Sequence, residues 1–382
     1  MKKMISLIIV LVSIFMLSGC NNKPTLLFLN WGEYINDEAV RLFEEEYNVN
    51  VIIDIADSNE LFYSKIRSGT TAYDLVCPSD YMIEKMYQKG LLQKINLDRL
   101  TNYDPINNPF MPGVLGIQSQ MFEGNDCYGI PYFWGTFGLM YNKRKAGLEE
   151  AITTNGWTAY FEDELLPAGT RVGMYDVPRF AYAAAMFYND LSPNLATAES
   201  LTLAEETLMM REFAEWGDDT LKKGIAADNL DLAFVYTGDF LDTLYIQLSD
   251  NPDINDVLFD IYIPEDTIAF VDELVIPKQA RHLDLAYKFI DFFLRPEIAY
   301  LNASVVGYCT PLTNAYNQIV DDDYTGEEDI VWAETWAYAT NRYYPKPGVD
   351  DPVQFKGTPI ANLDRYFLQD INTMVSNVKA RG

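Results

Sequence analysis

The sequence contains very little histidine and cysteine. Among its 382 residues His282 is the only histidine, and cysteine occurs four times. A single histidine excludes multi-histidine metal sites and most acid–base constellations built on imidazole. The cysteines after Cys20 are Cys77, Cys127 and Cys309, an odd number that cannot form a complete set of disulfides. Each lies among apolar or aromatic residues, which favours small buried hydrophobic side chains over a disulfide framework.

Basic residues are also scarce. Lysine and arginine total 28 against 56 aspartates and glutamates, which gives a formal net charge of −28. Such an acidic chain repels nucleic acid and anionic lipid, so no nucleic-acid partner is expected. The sequence has no Walker phosphate loop, Gly-x-Ser-x-Gly elbow, Cys-x-x-Cys pair or His-Glu-x-x-His motif. The common motif-based classes of enzyme are therefore not indicated.

No stretch outside the N-terminus approaches a membrane span. Two lysines precede the almost wholly apolar stretch 4–16, and Leu-Ser-Gly stands directly before Cys20. This layout predicts a secretory signal, and its end resembles the lipobox of bacterial lipoproteins, in which cleavage precedes a cysteine whose thiol is acylated. An ordinary N-terminal membrane helix is the alternative, but the run is short for a span. We therefore expect a signal peptide over 1–19 and a lipidated tether over 20–24.

The remaining 363 residues (382 minus 19) exceed what one hydrophobic core normally serves, so two lobes are expected. Strands alternate with amphipathic helices, which predicts βαβ units and a mostly parallel sheet. Strands are predicted over 26–29, 51–55, 73–77, 129–141, 171–175, 231–236 and 268–277. Helices are predicted over 37–47, 58–66, 82–88, 179–189, 204–216 and 283–294. The chain is expected to cross between lobes within 129–141.

Polar and aromatic residues cluster where the predicted strands end. The first apolar strand runs directly into Trp31, Glu33 and Tyr34, and this stretch alone fits a packed strand edge as well as a binding site. Ligands of open α/β sheets bind at the carboxyl ends of strands. Further groups of this kind are Ser79 with Tyr81, Tyr236 with Asp239, and Phe270 with Asp272 and Tyr308. Two lobes would bring these groups around one cleft, where ligand sites prefer to form.

A set of short motifs resembles the spermidine/putrescine-binding proteins that serve polyamine ABC importers. The matching stretches are Asn-Trp-Gly-Glu-Tyr at 30–34, Ser-Asn-Glu at 58–60, Tyr-Asp-Leu-Val at 73–76, Pro-Ser-Asp-Tyr at 78–81, Ile-Pro-Tyr-Phe-Trp-Gly at 130–135, Gly-Asp at 238–239, Phe-Val-Asp at 270–272, Leu-Arg-Pro-Glu at 294–297 and Gly-Tyr-Cys-Thr-Pro at 307–311. They keep the family's order and spacing from about residue 25 to 315. No single motif is diagnostic, but the ordered set is.

The resemblance implies an α/β, two-lobed periplasmic-binding-protein (Venus-flytrap) fold with hinge crossings. Lobe 1 would comprise 25–135 and 270–308, and lobe 2 would comprise 136–269 and 309–382. The family's site is an aromatic box around the methylene chain of a polyamine, with carboxylates at the ammonium ends. A protonated amine over an aromatic face gains roughly 0.5–2 kcal/mol, and its hydrogen bond to a carboxylate is of the stronger, charge-assisted kind.

The resemblance also implies which residues bind the ligand. They are Trp31, Glu33, Tyr34, Ser79, Tyr81, Asp176, Tyr236, Asp239, Phe270, Asp272 and Tyr308. Asp272 matches the central ammonium-binding carboxylate, and Trp31 and Tyr34 match first-lobe walls of the box. One departure lies in the run Asp176-Val-Pro-Arg-Phe180, where Phe180 stands in place of a contacting acid. Either Asp239, Asp176 or Glu33 compensates, or the ligand is shorter or differently charged.

The resemblance implies an extracytoplasmic substrate-binding component that delivers a polyamine to an ABC permease and its ATPase. We expect a monomer anchored to the cell membrane by a lipid on Cys20, with no catalytic residue, metal or cofactor. A binding protein for another cationic or small organic solute is the alternative. A secreted carboxylate-dependent hydrolase is a further alternative, since paired carboxylates also serve glycosidases, but amine binding accounts for the same acids.

Overall fold

The computed structural model describes residues 23–122, 124, 126–251, 253–321 and 357–381. The predicted signal peptide and the predicted lipidation site at Cys20 lie outside these residues. Among the helices that the structure describes, none is both long enough and apolar enough to cross a membrane.

The described residues form an alternation of strands and helices. The strands are β1 Thr25–Asn30, β2 Asn50–Ile55, β3 Leu75–Val76, β4 Gly129–Asn142, β5 Val172–Tyr175, β6 Glu215–Gly217, β7 Leu232–Tyr236, β8 Phe259–Tyr262, β9 Ile268–Val275 and β10 Thr358–Pro359. The helices are α1 Asp37–Tyr47, α2 Asn59–Ser68, α3 Asp80–Gln88, α4 Pro112–Met121, α5 Leu148–Asn155, α6 Trp157–Phe161, α7 Pro178–Tyr188, α8 Ala198–Leu208, α9 Asp219–Ala226, α10 Thr237–Asp250, α11 Leu283–Phe293, α12 Pro296–Val306, α13 Thr313–Asp321 and α14 Arg365–Arg381.

The strands join in one sheet of order β2-β1-β3-β9-β4-β7-β5-β6, with β10 beside β9 and β8 beside β4. At one end β1 pairs in parallel with β2 and β3, and at the other end β5 pairs in parallel with β6 and β7. Between these groups β9 and β4 run antiparallel to their neighbours along the order. The predicted parallel pairing is therefore confirmed at both ends and interrupted in the middle.

The two long central strands connect two structural units. The first half of β4, Gly129–Thr136, pairs with β9, whereas its second half, from Phe137 onwards, pairs with β7 and β8. Every residue of β4 and of β9 is buried, as expected for nearly continuous apolar runs covered on both faces. We call the part around β1, β2 and β3 the first unit and the part around β5 to β8 the second unit.

The helix predicted over 204–216 has wrong boundaries at both ends. The corresponding helix, α8, begins earlier, because Thr197 and Ser200 form a capping box in which each side chain accepts a hydrogen bond from the other's backbone N–H. At the C-terminal side Trp216 lies in β6, where it pairs with Met174 of β5. Sheet pairing with a distant strand has overridden the local helical pattern.

The predicted lobe boundary also differs from the structure after residue 308. Cys309 forms an isolated β-bridge with Trp134, and the Thr313 N–H donates to the Pro109 carbonyl at 2.9 Å. These contacts join 309–321 to the first unit, whereas α14 packs against α7 and α8 of the second unit. The assignment of all of 309–382 to the second lobe therefore does not hold for 309–321.

Candidate ligand-binding site

Asp272 lies in the middle of β9 with only 4% of its surface exposed. The Tyr34 hydroxyl donates to its Oδ2 at 2.6 Å, while Oδ1 accepts no hydrogen bond from any described residue. Burial raises the pKa of the Asp272 carboxyl to about 6, against the opposing effects of the Tyr34 and Ser79 hydroxyls. A positive group beside Oδ1 would satisfy this oxygen and favour the ionised carboxylate.

Tyr34 is held firmly in the loop that follows β1. Its carbonyl accepts hydrogen bonds from Asn30 Nδ2 at 3.2 Å and from the Tyr132 hydroxyl at 3.1 Å. The Tyr132 hydroxyl in turn accepts from Asn302 Nδ2 at 2.9 Å. Glu33 turns the chain into Tyr34 with a left-handed backbone (φ 51°), and its side chain is exposed. The loop therefore directs Tyr34 towards Asp272 and leaves Glu33 at the surface.

Aromatic rings from both units meet beside Asp272. The Tyr308 ring lies 5.1 Å from the Tyr34 ring and 6.1 Å from the Phe270 ring, between centroids. The Tyr236 ring of the second unit lies 5.3 Å from Phe270 in an edge-to-face arrangement. Gly238 permits the approach of Tyr308, since a Cβ at this position would lie 2.1 Å from the ring. Four of the predicted aromatic residues are thus brought together.

Two further predicted residues, Ser79 and Trp31, belong to the first unit. Ser79 forms an isolated β-bridge with Asp272. The Asn59 side chain fixes it, accepting from the Ser79 N–H at 3.0 Å and donating to its hydroxyl at 3.1 Å. The Trp31 ring packs 4.7 Å from the Phe62 ring, and its buried Nε1 finds no acceptor among the described residues. The structure therefore places Ser79 beside Asp272 and Trp31 beside Phe62.

A cavity of about 20 Å³ lies between the two units. It is lined by Asn59, Ser79, Asp80, Tyr81, Phe137, Phe180, Tyr236, Ile268, Ala269, Phe270 and Ile360. This space holds about one water molecule, since each needs at least about 10–15 Å³. A solute of several carbon atoms therefore fits only if the two units move apart.

Asp239, near the start of α10, is buried but already paired. Lys222 Nζ lies 3.2 Å from its Oδ1 and 2.9 Å from Asp242 Oδ2, while Asp239 Oδ2 has no hydrogen-bond partner among the described residues. Burial raises the pKa of the Asp239 carboxyl to about 6, although the Lys222 charge lowers it. The Lys222 ammonium thus occupies one side of the Asp239 carboxylate.

Asp176, which follows β5, is exposed and does not line the cavity. Lys379 of α14 donates to both of its carboxylate oxygens, at 2.7 and 2.8 Å. The structure therefore separates Asp176 from the residues around Asp272.

Arg179 connects the two units, a role that the sequence did not predict. It is the second residue of α7, and its guanidinium carbon lies 4.0 Å from the centroid of the Tyr81 ring in the first unit. One Nη donates to the Ala361 carbonyl at 2.6 Å. These two contacts join three distant parts of the chain, so they could not be predicted from the sequence.

Comparison with known proteins identifies the family. A sequence model of the bacterial extracellular solute-binding proteins matches residues 38–337. The chain belongs to this family. The putrescine-binding periplasmic protein SpuD of Pseudomonas aeruginosa is 28% identical over 74% of this chain and 77% of its own. The spermidine/putrescine-binding periplasmic protein of Salmonella typhimurium is 29% identical over 76% of this chain and 78% of its own.

A solved structure resembles this solute-binding protein over nearly its whole length. The spermidine/putrescine ABC transporter substrate-binding protein PotD of Streptococcus pneumoniae has a TM-score of 0.73 and 25% identity, covering 94% of this chain and 99% of its own. The predicted α/β, two-lobed fold is thereby confirmed. From here on we refer to the first and second units as the first and second lobes, and to the space between them as the cleft.

Proposed function

We propose that this solute-binding protein is the extracytoplasmic substrate-binding component of an ABC importer, and that it carries a polyamine such as putrescine or spermidine. The names of its sequence relatives and of its structural neighbour support this ligand class. The observation that carries the proposal is the buried Asp272 carboxylate, whose Oδ1 has no hydrogen-bond partner among the described residues and whose Oδ2 accepts from Tyr34, a member of the aromatic group.

The proposed binding mode assigns complementary roles to these groups. One ammonium of the ligand donates to Asp272 Oδ1, while the Tyr34 hydroxyl holds Oδ2 in place. The faces of Phe270, Tyr236 and Tyr308 cover the methylene chain and add cation–π attraction of roughly 0.5–2 kcal/mol. The positive charge of the ligand stabilises the ionised carboxylate, whose pKa burial has raised.

Capture requires a change of shape, because the cleft has room for about one water molecule. In the proposed cycle an open form receives the ligand and the lobes then close around it. A ligand drives this change only if it binds the closed form more tightly than the open form. We further propose delivery to a permease with its ATPase, a lipid anchor on Cys20 and a monomeric carrier.

Asp272→Asn tests the proposal by calorimetry with putrescine. Asparagine keeps the size of the side chain and an acceptor for Tyr34 but removes the negative charge. A hydrogen bond to a charged group contributes about 1.5–3 kcal/mol, so the affinity should fall about 10- to 150-fold. Asp250→Asn, at an exposed position at the end of α10, is the matched control. Unchanged putrescine binding by Asp272→Asn would refute the polyamine assignment.

Two alternatives make different predictions. A carrier returns its ligand chemically unchanged after release, whereas a hydrolase does not, and mass spectrometry of the recovered ligand distinguishes them. Another cationic or small organic solute is the second candidate ligand, and calorimetry with such a solute in place of putrescine distinguishes it.

A further inference from the structure

Asp80 is a buried acid on the wall of the cleft. It is the first residue of α3 in the first lobe, only 3% of its surface is exposed, and it lines the cavity directly. Its Oδ1 accepts from the Tyr81 N–H at 2.7 Å, whereas its Oδ2 has no hydrogen-bond partner among the described residues. Acids favour the positive end of a helix, but an aspartate is rarely buried unless it is paired. A role at the helix end alone therefore does not explain the position of Asp80.

The surroundings of Asp80 disfavour its ionised form in the absence of a cation. Burial raises the pKa of the Asp80 carboxyl to about 8, and the charge of Asp272 adds to this rise. The N–H groups of Tyr81 and Val271 and the Arg179 charge act in the opposite direction. The Asp80 carboxyl is therefore mostly protonated at neutral pH, and an ammonium group beside it would favour the carboxylate.

Asp80 directly follows a residue that pairs with Asp272. Ser79 forms an isolated β-bridge with Asp272, which brings the two acids to the same part of the first lobe. Each of these carboxyl groups has one oxygen without a hydrogen-bond partner among the described residues. Two neighbouring carboxylates repel each other when both are ionised, and a nearby positive charge favours the ionised form of each. A ligand with two ammonium groups satisfies both acids, whereas a ligand with one leaves an acid without a cation.

The second-lobe part of the cavity wall offers aromatic rings instead of acids. Phe180 and Tyr236 line the cavity from this lobe, and Phe180 stands where the resemblance implied a contacting acid. The second-lobe acids Asp176 and Asp239 are already paired with lysines. Of the described residues that line the cavity, Asp80 is the one that carries a carboxyl group.

We propose that Asp80 is the second acid of the ligand site, and that it binds one ammonium of a polyamine while Asp272 binds the other. This inference rests on the proposed function and adds a ligand-binding residue that the sequence analysis did not assign. Because both acids belong to the first lobe, this lobe alone can hold both charged ends of the ligand in the open form. Phe180 and Tyr236 of the second lobe then cover the methylene chain on closure.

Two ligands of matched length test the inference by calorimetry on the full chain. The ligands 1,4-diaminobutane and 4-amino-1-butanol share four methylenes and one ammonium, and a hydroxyl replaces the second ammonium in the amino alcohol. Asp80→Asn should weaken binding of the diamine at least about tenfold, and binding of the amino alcohol by less than about threefold. Asp37→Asn, at the exposed first residue of α1, is the matched control and should change neither affinity.

Proton release provides a second measurement, which uses the wild-type chain and does not depend on the folding of a variant. At neutral pH the diamine should displace the proton of the Asp80 carboxyl, whereas the amino alcohol should not. Binding of the diamine should therefore release about one proton more than binding of the amino alcohol. Calorimetry in buffers of different ionisation enthalpy measures this difference, which Asp80→Asn should abolish.

Three results would overturn the inference: equal weakening of both ligands in a folded Asp80→Asn variant, unchanged binding of the diamine by that variant, or equal proton release by the two ligands. In each of these cases weaker diamine binding by Asp272→Asn would leave the proposed function intact. Failure of both ligands to bind the wild-type chain would instead overturn the proposed function.

Discussion

Gly238→Ala tests whether the Tyr308 ring is a fixed wall of the cleft. Gly238 is the second residue of α10, and an added Cβ would lie 2.1 Å from Tyr308 Cζ, where ordinary contact begins at 3.4 Å. The ring cannot swing aside freely, because its centroid lies 5.1 Å from that of Tyr34 and 6.1 Å from that of Phe270. Relief of the clash must therefore disturb the aromatic group beside Asp272.

Two opposing effects set the change in the free energy of unfolding of Gly238→Ala. Alanine is favoured over glycine inside a helix by about 1 kcal/mol, whereas overpacking of a filled site costs about 1–3 kcal/mol. The free energy of unfolding of Gly238→Ala should therefore lie between about zero and 2 kcal/mol below that of the wild type. Gly116 in α4 is the matched control, since nothing lies within 4 Å of its added Cβ. Gly116→Ala should show the helical gain alone.

Urea unfolding and calorimetry with the cleft ligand provide the assays. We expect Gly238→Ala to be about 1–3 kcal/mol less stable than Gly116→Ala and to bind the ligand more weakly. In the double variant with Tyr308→Ala the clash disappears, so the two substitutions should show a clear coupling energy. If Gly238→Ala gains as much stability as Gly116→Ala and binds as the wild type does, Tyr308 is not a fixed wall.

Two further predictions concern stability. Burial raises the pKa of the Glu273 carboxyl to about 8, against the hydrogen bond from Gln118. The folded chain therefore binds more protons than the unfolded chain between about pH 5 and pH 8. Over this range the free energy of unfolding should fall by a few kcal/mol as the pH rises. In urea unfolding, the Glu273→Gln variant should lose much of this pH dependence of the free energy of unfolding, whereas Glu206→Gln, at an exposed position, should retain it. Asn194→Ala removes the acceptor of the Ala361 N–H hydrogen bond (2.8 Å). This variant should have a free energy of unfolding lower by about 1–3 kcal/mol. An unchanged urea midpoint would show that other contacts hold the C-terminal segment.

Elements with strong local signals could be predicted from the sequence. The apolar runs of β4 and β9 were predicted within a few residues, because full burial requires a continuous apolar stretch. The start of α1 was predicted as well, since the Asn36 side chain caps the Glu38 N–H at 2.7 Å. The end of α8 could not be predicted, because the strand pairing of Trp216 depends on a distant segment.

The first-lobe half of the site was more predictable than the second-lobe half. Tyr34, Phe270 and Asp272 follow from their positions near strand ends and crossings, and the structure brings them together. The partners of the second-lobe acids did not follow from any motif. Lys379 reaches Asp176 across 203 positions of the chain, so that only the packing of α14 against the second lobe brings them together.

These pairings change the charge pattern that the sequence suggested for the cleft. The motifs predicted a carboxylate at each end, which suits a ligand with two ammonium groups. The structure leaves a carboxylate oxygen without a hydrogen-bond partner among the described residues at Asp272, at Asp80 and at Asp239, while internal lysines bind Asp239 and Asp176. Asp80 lines the cavity, whereas Asp176 does not. The second acidic end of the site is therefore where the structure departs most from the motifs, because the partners of these acids depend on packing between distant segments.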